Sequence, residues 1–400
     1  MIEELVAIHQ EVMATTPKTF KRYLYPKINW KAKGLCILGD RGVGKTTLLC
    51  QDFLERYHNP EKALYISADH ISVVSYGLVN IAQRFFSYGG EALYIDEVHK
   101  YPDWSIEIKN ILDTYKDHQI IFSASSSLDL NKSKGDLSRR VVYHRLQGLS
   151  FREYLLLSHN IEVPIFTIPE ILKNHMKIAA DLNSIPILRN FQEYLKYGYY
   201  PFFIEGIEDY LSKVSNVIEK VIFEDIAVVY NLKQTTLPIL KRILWLVSTS
   251  NGLVPNIDKM SKNLGISREM IYNCLEYLNS SGLLNDLFPS GKGNNLIRKP
   301  GKIYLNNTNL LNAVNGSLKL ETEIGGIRET FFVNQIGSVH KIALHDKGDF
   351  IIDEKWIIEV GGKGKNNKQI RGEKEAYLAV DHVKIGFGNK IPLYLFGFLY

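Results

Sequence analysis

Cysteine is scarce in this chain: Cys36, Cys50 and Cys274 are the only three in 400 residues. Their spacing fits neither a disulfide framework nor a thiolate metal site, which excludes disulfide scaffolds and zinc modules. A reducing cytoplasm is the simplest home. Long apolar runs are also missing. The best candidates, such as residues 392–398, fall far short of the roughly 20 residues that cross a bilayer and read as strands, so no membrane partner is expected. Met1-Ile2-Glu3-Glu4-Leu5 begins an acidic amphipathic helix in place of a basic leader. Strong charge of either sign is absent too. The formal net charge is +5, and the excess of Lys and Arg lies mainly beyond residue 290. That is compatible with nucleic acid, and equally with a solvated lysine-rich surface.

What is present is a chain long enough for two or three domains, organised around Gly39-Asp40-Arg41-Gly42-Val43-Gly44-Lys45-Thr46-Thr47. This stretch meets every fixed position of the P-loop pattern. An apolar run, Leu35–Leu38, precedes it as a strand, and residues 48–54 follow with helical spacing. Strand, glycine loop and helix is the required context, because the loop must turn its backbone N–H groups toward phosphate at a helix N-terminus. Lys45 then reaches the β- and γ-phosphates, and the Thr46 hydroxyl holds Mg²⁺. ATP and Mg²⁺ are the expected ligands.

Further strands are expected at 63–67 and 92–95, the latter running into Asp96-Glu97. An apolar strand ending in Asp-Glu about fifty residues after a P-loop is the Walker B arrangement, with Asp96 in the Mg²⁺ shell and Glu97 orienting the attacking water. A fourth strand, 119–122, leads into Ser123-Ala124-Ser125, where Ser125 is the first candidate and Ser123 the second to reach the γ-phosphate or the water. A serine-rich helix cap is the alternative. A helix is expected before Asp136, and a strand over 141–143. Just before that strand, Arg139 and Arg140 are candidates for an arginine finger acting on a neighbouring copy, or for a surface ion pair. Residues 1–33, with Lys18, Lys21, Arg22 and Lys27 among aromatics, read as a packed strap or a nucleic-acid surface.

The middle of the chain is helical by spacing. Residues 256–264, Gly265 and a helix capped by Ser267 form a helix-turn-helix, which would bring Lys262, Ser267 and Arg268 near DNA if it binds DNA. Near the C-terminus, Glu329, Asp349 and Glu359 form an acidic series in which two carboxylates at adjacent strand ends can hold Mg²⁺.

Residues 39–47, 93–99, 135–140 and 149–155 together resemble prokaryotic AAA-type ATPases, the extended clade related to archaeal ATPases and origin-recognition initiators. The resemblance implies an α/β fold with four parts. These are an ATPase core over 1–148, a helical lid over 149–215, a winged helix over 216–287, and a restriction-endonuclease-like domain of unknown function over 288–400. Tyr197-Gly198-Tyr199-Tyr200-Pro201 is similar to the family's Gly-Gly-Tyr-Pro signature, with Tyr199 standing where glycine is usual, and it implies that Pro201 contacts the adenine. The acidic series is similar to that of restriction-type nucleases, except that Gly361 stands where their lysine is expected; Lys363 or Lys365 would have to substitute. The resemblance implies ATP hydrolysis in a homo-oligomer acting on DNA. A nucleotide-controlled switch for protein partners and an ATP-gated nuclease are the alternatives.

Overall fold

The computed structural model describes residues 2–125, 137–291 and 300–400. The chain divides into two compact units, Met1–Gly148 and Leu149–Tyr400.

The first unit is built on a five-stranded sheet: β1 (Gly34–Gly39), β2 (Ala63–Ser67), β3 (Ala92–Asp96), β4 (Gln119–Ser125) and β5 (Val142–Leu146), in the order β2-β3-β4-β1-β5. Every neighbouring pair is parallel. β1 and β3 are buried at every residue, and such strands read as unbroken apolar runs because helices cover both faces. The order places β4 between the P-loop strand and the Asp96 strand. β5 begins one residue later than its sequence reading, and the helix expected before Asp136 lies outside the described residues. The edge strand β2 is protected by α1 (Ile2–Thr15), whose buried His9 accepts from the backbone N–H of Tyr65 through Nδ1 at 2.9 Å. Burial lowers the His9 pKa to about 4, so the ring stays neutral and keeps that acceptor.

The strap before β1 is packed. Arg22 is buried; Nη1 donates to Val43 O at 2.6 Å, and Nη2 to Gln147 O at 2.6 Å and Gly148 O at 3.0 Å. Tyr25 donates to Glu55, which also pairs with Lys21. Arg22 is thus a tie beneath the P-loop; a nucleic-acid surface would need it exposed.

The second unit begins with helices α2 (Phe151–His159), α3 (Ile168–Asp181), α4 (Ile187–Tyr197) and α5 (Tyr210–Lys220). The first two carry capping boxes, Ser150 with Glu153 and Thr167 with Glu170, which satisfy N–H groups at both helix starts. The helix-turn-helix is α6 (Ile257–Leu264) and α7 (Arg268–Ser280). Gly265 makes the turn at φ +68°, and Ser267 caps α7 by accepting from Met270 N at 3.1 Å. Next, β6 (Leu284–Leu287) pairs antiparallel with β7 (Lys302–Leu305), joining residues on either side of the boundary expected at 288. Helices α8 (Thr308–Ser317) and α9 (Ile324–Gly337) follow. The last sheet has the order β12-β11-β10-β9-β8. Its strands are β8 (Ile342–Leu344), β9 (Phe350–Ile352), β10 (Trp356–Gly361), β11 (Ala376–Val380) and β12 (Lys390–Pro392), antiparallel from β8 to β10 and parallel from β10 to β12.

A buried asparagine ties these parts together. Asn309 Oδ1 accepts from Tyr199 N at 2.7 Å and from the Tyr210 hydroxyl at 2.5 Å, while Nδ2 donates to Tyr194 O at 3.3 Å and Leu195 O at 3.0 Å. Tyr199, the departure from the family signature, is a core residue whose hydroxyl donates to Asn306. No helix among the described residues is long and apolar enough to cross a membrane.

Asp286 in β6 is half-buried, and its Oδ1 has no hydrogen-bond partner among the described residues. Burial raises its pKa to about 7, against about 4 in an unfolded chain. Between those values the folded chain keeps a proton that the unfolded chain releases. Stability therefore falls as pH rises through this window and levels off above it. Asp286→Asn is expected to raise the melting temperature clearly at pH 8 and little at pH 4. Equal shifts in thermal scans at both pH values would refute this assignment.

Candidate functional site

The glycine loop leaves β1 at Gly39 and enters the helix Lys45–Arg56. Gly42 and Gly44 sit at φ +85° and +97°, a region that side chains rarely adopt, which is why the loop carries glycine there. Lys45 is buried to 5% exposure, its ammonium donating to Gly39 O at 2.9 Å and Asp40 O at 3.1 Å.

Thr46 joins the two motifs, its hydroxyl donating to Asp96 Oδ2 at 2.5 Å. Tyr65, from β2, donates to the same oxygen at 3.0 Å, and Ser123 donates to Asp96 Oδ1. Three hydroxyls on one buried carboxylate hold it in a fixed orientation. The set of a hydroxyl and a hard carboxylate, both at the mouth of the glycine loop, fits Mg²⁺.

Glu97 takes φ +55°, uncommon for a residue with a side chain and costing about 1–2 kcal/mol. Its N–H donates to Ser123 Oγ at 3.0 Å, which helps hold that turn. Glu97 Oε2 lies 3.1 Å from Lys100 Nζ and 3.8 Å from His99 Nε2. Burial alone would raise the Glu97 pKa; the ammonium charges of Lys45 and Lys100 outweigh it and bring it below the ordinary value.

Of the two serine candidates, Ser123 touches both Asp96 and Glu97, whereas Ser125 gives its backbone N–H to His99 Nδ1 at 3.2 Å. Arg140 makes a two-pronged pair with Asp113, at 2.6 Å through Nε and 3.0 Å through Nη2; Arg139 is exposed. Pro201 opens a short 3-10 helix in the second unit. Sequence reasoning missed Tyr65, His99 and Lys100. The last two were within reach, because they come two and three residues after Glu97.

In the second unit, Glu329 on α9 accepts from Tyr304 OH at 2.6 Å and lies 3.4 Å from Lys302 Nζ. Asp349, just before β9, accepts from Val360 N at 2.8 Å. Glu359 in β10 is fully buried and ion-paired with Lys365. Burial raises the Glu359 pKa, and the nearby Asp349 adds to the rise against the pull of Lys365. Of the two lysines considered, Lys365 makes this contact, and Lys363 is exposed. Gly361 packs against that lysine. A Cβ there would lie 2.7 Å from Lys365 Cγ, so glycine leaves room for that lysine's stem. Among the described residues no group of three or more His, Cys, Asp or Glu is placed to hold a metal ion. Arg268, expected near DNA, pairs with Asp258 at 2.5 Å.

Residues 31–155 match the family described as "AAA domain", and residues 188–322 match a "Domain of unknown function (DUF8612)". The chain is 27% identical to "Uncharacterized protein MJ1637" of Methanocaldococcus jannaschii, over 91% of this chain and 82% of that protein. It is 22% identical to "Uncharacterized protein MJ1544" of the same organism, over 62% of this chain and 55% of that one. A structure of AMPPCP-bound DnaA from Aquifex aeolicus is similar at 17% identity and a TM-score of 0.29, covering 69% of this chain and 88% of that one. The stretch similar to the AAA domain includes both the glycine loop and the Asp-Glu strand.

Proposed function

We propose that this protein binds ATP and hydrolyses it. The observation that carries the reading is the Thr46–Asp96 bond, which closes the glycine loop onto the Asp-Glu strand beside the Lys45 ammonium. The loop N–H groups and Lys45 hold the phosphates. Thr46 and Asp96 would hold Mg²⁺, which when bound supplies charge neutralisation at the β- and γ-phosphates. Glu97 orients a water in line with the γ-phosphorus and takes its proton as the bond to the β-phosphate oxygen breaks. Ser123 keeps Asp96 and Glu97 in register. Arg139, exposed and at the entry to β5, is the better candidate to complete a neighbour's site in a homo-oligomer, since Arg140 already holds Asp113. Pro201 is the candidate adenine contact from the lid.

The action we assign to the cycle is on DNA, in a cytoplasmic setting. The helix-turn-helix and the adjoining antiparallel pair, read as a winged helix, support this. The test is steady-state ATPase activity with and without duplex, forked and single-stranded DNA, using Lys45→Ala as the blank. Stimulation by one DNA form makes this a DNA-dependent motor. Turnover indifferent to DNA favours a switch that recruits protein partners.

A second reading, an ATP-gated nuclease in a restriction-endonuclease-like C-terminal domain, is favoured by the Lys365–Glu359 pair. It predicts Mg²⁺-dependent DNA cutting that disappears in Asp349→Ala. Cutting that survives the substitution, or no cutting by the wild-type protein, removes this reading.

A further inference from the structure

We propose that Lys100 and His99 are positioning residues for Glu97, that Asp69 sets Lys100 in place, and that Glu97 therefore works through Oε1. The proposal rests on the ATPase reading above and concerns how its base is aimed.

A glutamate side chain has three rotatable bonds, and the unusual backbone at Glu97 fixes only where they start. Two groups hold the far end. Val98–Lys100 forms one turn of 3-10 helix, in which residues three apart eclipse, bringing Lys100 over Glu97. Its ammonium lies 3.1 Å from Glu97 Oε2 and 2.6 Å from Asp69 Oδ2. Asp69 is itself tied down, its Oδ1 accepting from Ser67 Oγ at 2.6 Å at the end of β2. From the other side, His99 Nδ1 accepts the Ser125 N–H. A ring that accepts at Nδ1 presents its N–H at Nε2. That Nε2 lies 3.8 Å from Glu97 Oε2.

Lys100 closes on Oε2, and His99 Nε2 stands near the same oxygen without a hydrogen bond to it, which leaves Oε1 as the one to meet water. The aim is referenced to two neighbours of β3: to β2 through Lys100 and Asp69, and to β4 through His99 and Ser125. Asp69 also shares the Lys100 charge, which keeps Lys100 from being a partner of Glu97 alone.

The test compares Lys100→Met, Lys100→Arg and Asp69→Asn by ATPase kinetics and nucleotide binding. Lys100→Met is expected to lower kcat by about 10-fold or more, with KM and nucleotide Kd within about twofold. Lys100→Arg should recover most of the loss. In a Glu97→Gln background Lys100→Met should cost nothing further, because the group it positions is gone. Wild-type kcat in Lys100→Met, an equal loss of affinity and kcat, or an additive loss in the Glu97→Gln background would each overturn the proposal. Should Lys100→Met fail to fold, Asp69→Asn carries the test: a drop in kcat alone supports the proposal, and an unchanged kcat overturns it. Full turnover by Glu97→Gln is a different failure, one of the ATPase reading itself.

Discussion

Lys45→Ala is expected to weaken ATP binding by roughly 100-fold or more, the loss of one buried ammonium against phosphate being about 3–5 kcal/mol. The substitution removes the side chain that reaches back along the loop from residue 45, where its Nζ now donates to Gly39 O and Asp40 O. Those carbonyls can turn to water once the stem is gone, so the loss of affinity should far exceed the loss of stability. Calorimetric titration with ATP, checked by a thermal scan of the same variant, separates the two. Unchanged affinity would remove the P-loop assignment.

The second large effect falls on rate. Glu97→Gln keeps the shape and the φ +55° backbone but cannot take a proton. ATP should bind within a few-fold of wild type while single-turnover hydrolysis falls by about 10²–10⁴. The loss of the Lys100 pair adds little to stability, because Asp69 still holds that ammonium. Full activity would take Glu97 out of the mechanism.

These two residues were legible from the amino-acid sequence because their chemistry demands a local pattern. A phosphate loop needs its glycines and lysine at fixed spacing, and an Asp-Glu pair needs an apolar strand beneath it. The sheet was legible for a related reason: buried parallel strands are written as unbroken apolar runs. Choices between near-equivalent residues were not. Ser123 and Ser125 share one face of β4, since side chains alternate along a strand. Only the register with β3, where Ile95 lies beside Phe122, brings Ser123 next to Asp96. Lys365 was similarly hidden, because a long stem on a turn can reach from several positions, and the clue was the missing Cβ at Gly361. The β6–β7 pair joins segments well separated in the chain, beyond what a local pattern can signal.

Asn309 carries a mechanical consequence. Its four hydrogen bonds pin the ends of α4 and α5, and the Tyr199 backbone between them, to the start of α8. A helical flap able to swing alone would have to break this buried set, at about 1 kcal/mol or more per bond. The flap and the strands beyond it are therefore geared together. Within the second unit a displacement of α4 is therefore handed on to the start of α8, with Asn309 as the key that stops the two slipping.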